Sequence, residues 1–427
     1  MHLQPHEIPF SMTLDSSQTS TIITLPFSLP PTAVRLDWKL IQGPKAPYVI
    51  DLGLKDSARI RGWSGGTRTE ATLSLTQATP GYLAGGFPGG PWGLLVGLYR
   101  LPLGSTTIRI IVTWYEFIPQ RLRGDLHTHT VHSDGIWTID QLFEEAASIG
   151  LDFVATTDHN TASQNLGVSR DPATSIIQIP GMEWTTYHGH ASILGLEDPL
   201  ADWRVNDAQE MGQRLAELKQ NGAIVSVNHP FDEFQPGLTW NWGDRGLDFM
   251  EVWNGPWRPA NQRALDHWQQ RLSDGAQVVA LGGSDTHGPS DIVHLGEPTN
   301  WVWTDSPTTA GLLQGISQGH LYITRDAGGP ELSMQSGPFQ MGDRTTTPNP
   351  DIAIELDGIE IGDRIRLISD QGAEYEASAK TENWSLTHQA RGRRFIRLEV
   401  HRYSALWDYW MPLLIGNPIY FGGGPTS

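Results

Sequence analysis

The chain has 427 residues, more than one ordinary hydrophobic core uses, and its 38% apolar and 18% charged residues are typical of a globular protein. A formal net charge of −18 with no basic stripe opposes nucleic-acid binding. The absence of cysteine excludes disulfides and thiolate metal sites, so any transition metal must be bound by imidazole and carboxylate. Because no segment has the pattern of a signal peptide or a membrane span, we expect a cytoplasmic protein without a membrane partner.

Residues 1–119 consist of short β-type runs separated by Gly, Pro and polar turns, and no helical period persists. Examples are TIITLPF from Thr21, AVRLDWKL from Ala33 and TTIRIIVTWYEF from Thr106. Many short strands with frequent turns are typical of two packed antiparallel sheets. The pattern predicts an N-terminal β-sandwich-like domain.

Residues 120–329 alternate between helix and strand patterns. Between Thr138 and Gly150 the apolar residues have helical spacing, Thr138 and Gln141 are spaced as a capping box, and Gly150 is the expected stop. The expected buried face comprises Ile139, Leu142, Phe143, Ala146 and Ile149. The apolar run LDFVATT follows, and similar units recur, which predicts a parallel sheet or barrel. β-type runs return over residues 330–427 and predict a small C-terminal β-domain.

Side chains that bind metals occur at or just after the predicted strand ends. The segments are HTHTVHSDG, TTDHN, GMEW, YHGH, VNHP and GSDTH. In a βα barrel these ends converge on one face, where such barrels bind and react. The candidates are His127, His129, His132, Asp134, Asp158, His159, Glu183, His188, His190, His229, Asp285 and His287.

Two of these segments have an i, i+2 spacing. His127 and His129 would project from the same side of an extended strand and clasp one ion, and Asp285 with His287 repeats the spacing. Glu183 has two oxygens with which to bridge ions. One such pair alone is weak evidence, because a histidine at a strand end is more often a surface or core residue. Several such segments together favour a multinuclear metal site.

The order HxH, SDG, TDHN, a strand-terminal Glu, NHP and SDTH resembles the polymerase-and-histidinol-phosphatase (PHP) metallohydrolase superfamily, over about Arg121 to Gly329. RGDLHTHTVHSDG, with GHASILG and a preceding β-domain, is most similar to its carbaryl-hydrolase-like (CehA/McbA) branch. The resemblance implies an α/β fold, a distorted (β/α)7 barrel, with two or three divalent ions, commonly Mn, Zn or Fe. The β-domains before and after it would be additions.

The resemblance also implies a ligand set for each ion. His127, His129, Glu183 and Asp285 would hold the first ion, and Asp134, His159 and His287 the second. Glu183, His190 and His229 would hold a third, with His188 as the alternative to His190. The residues expected to act in catalysis are Glu183, His188, Asp285, His287 and Arg325.

Several neighbouring residues have two interpretations. Asp125 and Asp158 either orient ligand imidazoles or cap strand ends. Arg325 either binds a substrate oxyanion with a bidentate fork or forms a surface ion pair. His132 and His188 either protonate a leaving group or lie in exposed loops. Asn228 and Asn254 either contact substrate or are simply polar residues at strand ends, and Trp253 and Trp257 either form an apolar pocket wall or pack in the core and loops.

Three divalent ions would carry about six positive charges, and only three carboxylates would oppose them. The excess of positive charge favours a small anionic substrate. The ions would also lower the pKa of a bound water and make a hydroxide nucleophile. We therefore expect a phosphoesterase acting on a small phosphate ester. The alternatives are a carbamate, ester or amide hydrolase, and a non-catalytic module that binds carbohydrate or protein. The sequence leaves the oligomeric state open.

Overall fold

The computed structural model describes residues 2–41, 47–75, 77–166, 176–243 and 246–422. The chain divides into two compact units, Met1–Gln120 with Asp305–Thr308, and Arg121–Thr304 with Thr309–Ser427. The predicted boundaries at 119/120 and 329/330 stay predictions. In the described part of the chain no helix has the length and apolarity needed to cross a membrane.

The first unit contains two four-stranded antiparallel sheets, with strand orders β1-β8-β3-β6 and β2-β7-β4-β5. The strands are β1 (Leu3–Asp15), β2 (Thr21–Leu29), β3 (Ala33–Ile41), β4 (Val49–Lys55), β5 (Ile60–Ser64), β6 (Glu70–Ser74), β7 (Gly90–Arg100) and β8 (Ser105–Phe117). Side chains from both sheets, among them Trp38 of β3 and Leu54 of β4, share one apolar core. This is the arrangement of a β-sandwich.

The second unit begins with seven strands in one sheet, neighbouring each other in chain order. They are β9 (Gln120–Asp125), β10 (Phe153–Thr156), β11 (Ile177–Thr186), β12 (Gly189–Leu194), β13 (Ile224–Val227), β14 (Phe249–Asn254) and β15 (Val279–Gly283). Strand β12 is antiparallel to both neighbours, and the other described pairs are parallel. Backbone hydrogen bonds between residues that follow β9 and β15 connect the first and last strands at that end.

Helices follow three of these strands in the described residues. They are α1 (Ile139–Ser148), α2 (Ala208–Gln220) and α3 (Pro259–Ser273). Strands β11 and β12 form an antiparallel pair instead of a strand-helix-strand unit. The fold is therefore a mixed α/β fold with many strands and few helices, and a complete (β/α)7 alternation stays unconfirmed.

Helix α1 shows how local sequence determines an element here. The predicted capping box is present, with the Thr138 side chain accepting from the Gln141 backbone and the Gln141 side chain accepting from the Thr138 backbone. Gly150 has φ +82°, as expected of the residue that ends a helix. Four of the five predicted core residues are buried, but Ile149 is 37% exposed. It is the C-cap, where the backbone leaves the helical path, so the helical spacing no longer applies.

The rest of the second unit is mainly β. Strands β16 (Thr299–Thr304) and β17 (Leu321–Thr324) enclose helix α4 (Thr309–Ser317). The sheet then continues into the C-terminal strands in the order β9-β16-β17-β26-β25-β22-β23, and a separate sheet has the order β19-β18-β21-β24. The C-terminal strands are β18 (Glu331–Ser336), β19 (Phe339–Gln340), β20 (Arg344–Thr345), β21 (Asp351–Asp357), β22 (Arg364–Ser369), β23 (Gly372–Ser378), β24 (Asn383–Gln389), β25 (Phe395–Ser404), β26 (Tyr409–Gly416) and β27 (Ile419–Phe421). Strand β27 pairs with β25 and with β20, beside the path just given.

A buried ion pair lies on strand β25. Arg397 and Glu399 are each 2% exposed, with Arg397 Nη1 2.6 Å from Glu399 Oε1, and His401 Nε2 lies 3.0 Å from Glu399 Oε2. Burial opposes ionisation of Glu399, but Arg397 and His401 outweigh it and lower the pKa of this carboxyl to about 2. Because the folded pKa is below the ordinary value, the charged carboxylate stabilises the fold above pH about 4.5. That stabilisation is lost as the pH falls towards 2.

We predict that Glu399→Gln lowers the free energy of unfolding by about 3–5 kcal/mol at pH 7, because it leaves Arg397 buried without its counter-ion. The difference from the wild type should shrink at pH 3. Urea unfolding at both pH values measures it. Glu376→Gln is the control, since Glu376 is half exposed and its pairs with Arg364 and Arg366 should contribute less than about 1 kcal/mol. Equal stability of Glu399→Gln and wild type at pH 7 would contradict this account.

Candidate metal centre

Five backbone hydrogen bonds align the segments that carry the predicted ligands. After β9 and β15, Asp285 N donates to His127 O and His129 N donates to Thr286 O, both at 2.9 Å. Asn228 N donates to His190 O, Thr157 N to Thr128 O and Glu183 N to Thr157 O, at 3.0, 3.0 and 3.1 Å. Strand pairing thus continues past the regular strands into the residues that bear imidazoles and carboxylates, and residues distant in sequence meet.

All nine predicted metal ligands lie in four overlapping groups whose ligand atoms are within 4.8 Å of one another. The groups are His127, His129 and Asp285; His127, Glu183 and His229; His159, Glu183 and His190; and His129, Asp134, His159 and His287. Because His127, His129, His159 and Glu183 each belong to two groups, the groups are parts of one centre. The assignment of residues to individual ions, and the number of ions, stay predictions.

The Glu183 carboxylate is at the middle of this centre and is fully buried. Nitrogen atoms of five imidazoles lie 2.8–3.5 Å from its oxygens. They belong to His127, His129, His159, His190 and His229. A carboxylate surrounded in this way can bridge more than one cation.

The distances within the first group fit a shared ion. His127 Nε2 and His129 Nε2 are 3.2 Å apart, and Asp285 Oδ1 lies 3.4 and 3.1 Å from them. Two ligands of one ion, each about 2.1 Å from it, lie about 3.0–3.4 Å apart. Two imidazole nitrogens this close cannot both carry protons that point at each other, which a shared cation would avoid.

Unsatisfied buried atoms also fit a cation. His129 Nδ1 and His229 Nδ1 have no hydrogen-bond partner among the described residues, and neither has Glu183 Oε2. His159 Nδ1 is 2.8 Å from Glu183 Oε2, but it forms its hydrogen bond with Thr185 Oγ1 at 2.6 Å. Buried polar atoms are normally paired, so unpaired imidazole and carboxylate atoms within the ligand groups fit a centre that binds cations.

The ionisation of each group in the centre depends on burial and on its charged neighbours. Burial opposes charging of His127, but Asp285, Glu183 and Glu251 outweigh it and raise the pKa of this imidazole well above its ordinary value. Burial raises the pKa of Glu183 and of Asp285. The neighbouring histidines outweigh it and keep the pKa of both carboxyls below the usual range. Burial lowers the pKa of His129. The carboxylates therefore stay ionised and require positive charge beside them.

The group of His129, Asp134, His159 and His287 is the outermost. The Asp134 side chain is 61% exposed and that of His287 is 40% exposed, whereas Glu183 and His129 are fully buried. Asp285 and His229 have positive φ angles of 58° and 30°, which non-glycine residues rarely adopt. Backbone strain of this kind is common at functional sites, where surrounding contacts maintain it.

Two of the residues expected to act in catalysis, His188 and Arg325, are not part of these groups. His188 is exposed and packs edge-on against Trp242, with ring centroids 5.0 Å apart. Arg325 is half exposed, and its Nε lies 2.9 Å from Asp326 Oδ2, which is the surface ion pair that the sequence left as one interpretation. Their catalytic roles stay predictions, and among the described residues neither side chain forms a hydrogen bond or ion pair with a predicted ligand.

Asp125 and Asp158, the two aspartates that flank predicted ligands, accept hydrogen bonds from the segments that carry those ligands. Asp125 accepts hydrogen bonds from the backbone N–H groups of His127, Ser284 and Gly296, so it fixes the ends of β9 and β15. Asp158 accepts from Thr130 N, Thr130 Oγ1 and Ser133 Oγ, which holds the loop after His129. Both therefore support ligand-bearing segments without contacting an imidazole in these hydrogen bonds.

Glu251 is the site residue that sequence reasoning missed. It is buried on β14, and its Oε1 lies 3.0 Å from His127 Nδ1. Its Oε2 accepts from His229 N at 2.8 Å and from Asn254 Nδ2 at 3.1 Å. A carboxylate on Nδ1 keeps the proton there and leaves Nε2 free for a metal. The available signal was a carboxylate inside the apolar run FMEVWN.

Asn228 has a comparable supporting role. Its Nδ2 donates to Glu183 Oε1 at 2.8 Å and to Ser192 Oγ at 3.0 Å, and its Oδ1 accepts from Ser192 N at 3.1 Å. The amide is thereby held in one orientation and fixes the Glu183 carboxylate. The sequence placed Asn228 near substrate, whereas its hydrogen bonds are with Glu183 and Ser192.

No family model matches the chain, and no curated protein matches it. Among solved structures it is similar to a two-domain protein from Bacteroides vulgatus that contains a predicted PHP-like metal-dependent phosphoesterase, with 16% identity, 70% of this chain and 95% of that chain covered, and a TM-score of 0.40. A proposed metal-dependent phosphoesterase from Bifidobacterium adolescentis is 19% identical over 45% of this chain and 95% of that chain, with a TM-score of 0.31. An amidohydrolase from Chromobacterium violaceum is 14% identical over 40% of this chain and 89% of that chain, with a TM-score of 0.26. These similarities are too remote to assign a family or an activity.

We predict that Glu251→Gln weakens metal binding about 10- to 100-fold while the fold is retained. The two donors at Oε2 would hold the glutamine oxygen, so its NH2 group would face His127 Nδ1. That nitrogen would have to accept, which moves the imidazole proton to Nε2, the atom in the metal group. Calorimetric titration with Mn²⁺ and with Zn²⁺ measures the affinity. The control is Glu233→Gln, which changes an exposed carboxylate, and an unchanged affinity for Glu251→Gln would refute the orienting role.

Proposed function

We propose that this protein is a metal-dependent hydrolase of the PHP type, and that its substrate is a small phosphate ester. The observation that supports this most directly is the buried Glu183 carboxylate with five imidazoles around it, inside a set of nine mutually adjacent ligands. The ordered motifs of the sequence support the same family, and the CehA/McbA branch is proposed on the motifs alone. Imidazole and carboxylate sets of this kind suit Mn, Zn and Fe.

Divalent ions held there would supply Lewis acidity and lower the pKa of water so that it attacks at neutral pH. The protein itself contributes ligands whose charge and orientation are fixed before an ion binds. Glu183 and Asp285 stay ionised because of their histidine neighbours, and Asn228 and Glu251 fix the orientations of Glu183 and His127. Such preorganisation means that little rearrangement is needed when the substrate's charge develops.

An ester, amide or carbamate substrate is the second candidate, because large apolar side chains occur on the ligand-bearing segments. Tyr187, between Glu183 and His190 in the sequence, is 90% exposed, and Phe234, five residues after His229, is 84% exposed. His188 also packs against Trp242. An apolar substrate group would find contacts on these loops, whichever bond is hydrolysed.

The deciding measurement is the hydrolysis rate of the Mn-loaded protein on nitrophenyl phosphate and on a naphthyl carbamate, each with a chelator control. We expect chelator-sensitive turnover of the phosphate. Turnover of the carbamate alone would transfer the assignment to carbonyl chemistry. Turnover of neither substrate would favour a non-catalytic binding module.

For Asp285 we predict that replacement by Asn removes one ion and lowers the hydrolysis rate about 1000-fold or more, which is about 4 kcal/mol of transition-state stabilisation. Asn is preferred to Ala because the residue has φ 58°, a conformation that Asn tolerates. Metal analysis, circular dichroism and the rate are measured together. Full activity with full metal content would show that Asp285 is not a ligand.

A further inference from the structure

Arg121, near the start of strand β9, has a guanidinium without a counter-ion. Its Nε atom is buried and has no hydrogen-bond partner, and within the described part of the chain the side chain forms no ion pair. The guanidinium carbon lies 5.5 Å from the centroid of the Trp303 ring and 5.6 Å from that of the Tyr322 ring. Burial lowers the pKa of Arg121, although the charge of Glu331 acts against it. Two aromatic faces attract the cation but provide no directed acceptor for its N–H groups.

A neighbouring arginine shows what Arg121 lacks. Arg123, two residues further along β9, also lies over an aromatic ring, with its guanidinium carbon 5.3 Å from the centroid of Trp301. Its Nη1 donates to Ala327 O at 3.3 Å, and its Nε lies 3.9 Å from Asp152 Oδ2. Charged groups withdrawn from water are normally paired, so the unpaired guanidinium of Arg121 indicates a partner from outside the chain.

A cavity of about 380 Å³ is lined by Arg121 and by residues of strands β18, β21 and β24. Three carboxylates belong to its lining, those of Glu331, Glu355 and Asp357. Its volume is within the range of about 300–1,000 Å³ that small-molecule sites have. None of the nine predicted metal ligands is among the described residues that line it, so this cavity is separate from the metal centre.

The three carboxylates of the cavity repel one another. Strand pairing places Glu331 directly opposite Asp357, and Glu355 lies on the same strand two residues before Asp357. Like charges directly opposite on antiparallel strands are destabilising. Glu331, Glu355 and Asp357 form no ion pair with any residue that the structure describes. A cation between these carboxylates would relieve the repulsion.

The cavity therefore offers one unpaired cation and an excess of carboxylates. A simple anion would satisfy Arg121 but would add to the negative charge, and a simple cation would leave the guanidinium unpaired. A ligand with both charges on neighbouring atoms meets both requirements. In an α-amino acid, two carboxylate oxygens match the edge formed by Nη1 and Nη2, neither of which has a hydrogen-bond partner among the described residues. The ammonium group supplies three donors for the carboxylates.

We propose that this cavity binds a zwitterionic α-amino acid, with its carboxylate on Arg121 and its ammonium group between Glu331 and Asp357. Trp384 of β24 also lines the cavity and provides apolar surface for the side chain of the ligand. The inference is independent of the proposed hydrolase function, because no group of the metal centre takes part. The ligand-free protein leaves a cation unpaired and two carboxylates in repulsion, and the ligand removes both costs.

The test uses the full-length protein and measures binding of each standard L-amino acid by thermal unfolding and calorimetry. For an amino acid that binds, the matched probes are its N-acetyl derivative, which has no ammonium group, and its amide, which has no carboxylate. The variants are Arg121→Met and Glu331→Gln. Arg123→Met is the control, because it removes an arginine of the same strand that does not line the cavity.

We expect the wild type to bind at least one amino acid and Arg121→Met to weaken that binding about 10- to 100-fold. Glu331→Gln should weaken it less, because two carboxylates remain, and both derivatives should bind at least about 10-fold more weakly than the free amino acid. Arg123→Met should bind like the wild type. Without ligand, Arg121→Met should unfold at the wild-type temperature or higher, because it removes an unpaired charge, whereas Arg123→Met should unfold at a lower one.

Four results would overturn the inference. They are a wild type that binds no amino acid, undiminished binding by Arg121→Met, equal affinity for the free amino acid and for either derivative, and equal thermal destabilisation by Arg121→Met and Arg123→Met without ligand. Equal affinity for the N-acetyl derivative would reassign the cavity to simple anions. Equal destabilisation would show that Arg121 stabilises the fold through Trp303 and Tyr322 instead of binding a ligand.

Discussion

A carboxylate without water around it must have positive charge beside it, and Glu183 imposes this requirement on the whole centre. Five imidazoles surround it at 2.8–3.5 Å. Yet within the described part of the chain Glu183 Oε2 lacks a directed hydrogen bond, and so do ring nitrogens of His129 and His229. Protonated histidines alone would crowd like charges together. Divalent cations satisfy the carboxylate and the free nitrogens at once, which is why the arrangement indicates a metal centre.

The rest of the second unit keeps those groups in position. Asp125 connects the ends of β9 and β15, Asp158 holds the loop after His129, and Glu251 and Asn228 fix one imidazole and one carboxylate. Each supporting side chain uses hydrogen bonds to backbone or to a ligand, so the ligands are oriented before any ion binds. Such preorganisation raises affinity because less order has to be created on binding.

Much of the local structure could be predicted from the sequence. The helix after Thr138 has the expected capping box and the expected buried residues apart from Ile149, because capping and helical spacing depend on residues a few positions apart. The antiparallel placement of β12 was not predicted. The apolar run after YHGH does not distinguish an antiparallel hairpin strand from a parallel strand, because β12 is buried along its whole length, as parallel strands usually are.

The sequence by itself determined which residue types can bind metal and that they cluster at strand ends, because chemistry and short-range spacing are properties of the chain. Only the tertiary structure decided which carboxylate and which amide orient those ligands. Glu251 contacts His127 across 124 residues, and Asn228 contacts Glu183 across 45 residues. Contacts of this kind depend on how strands are ordered in the sheet, which no local pattern encodes.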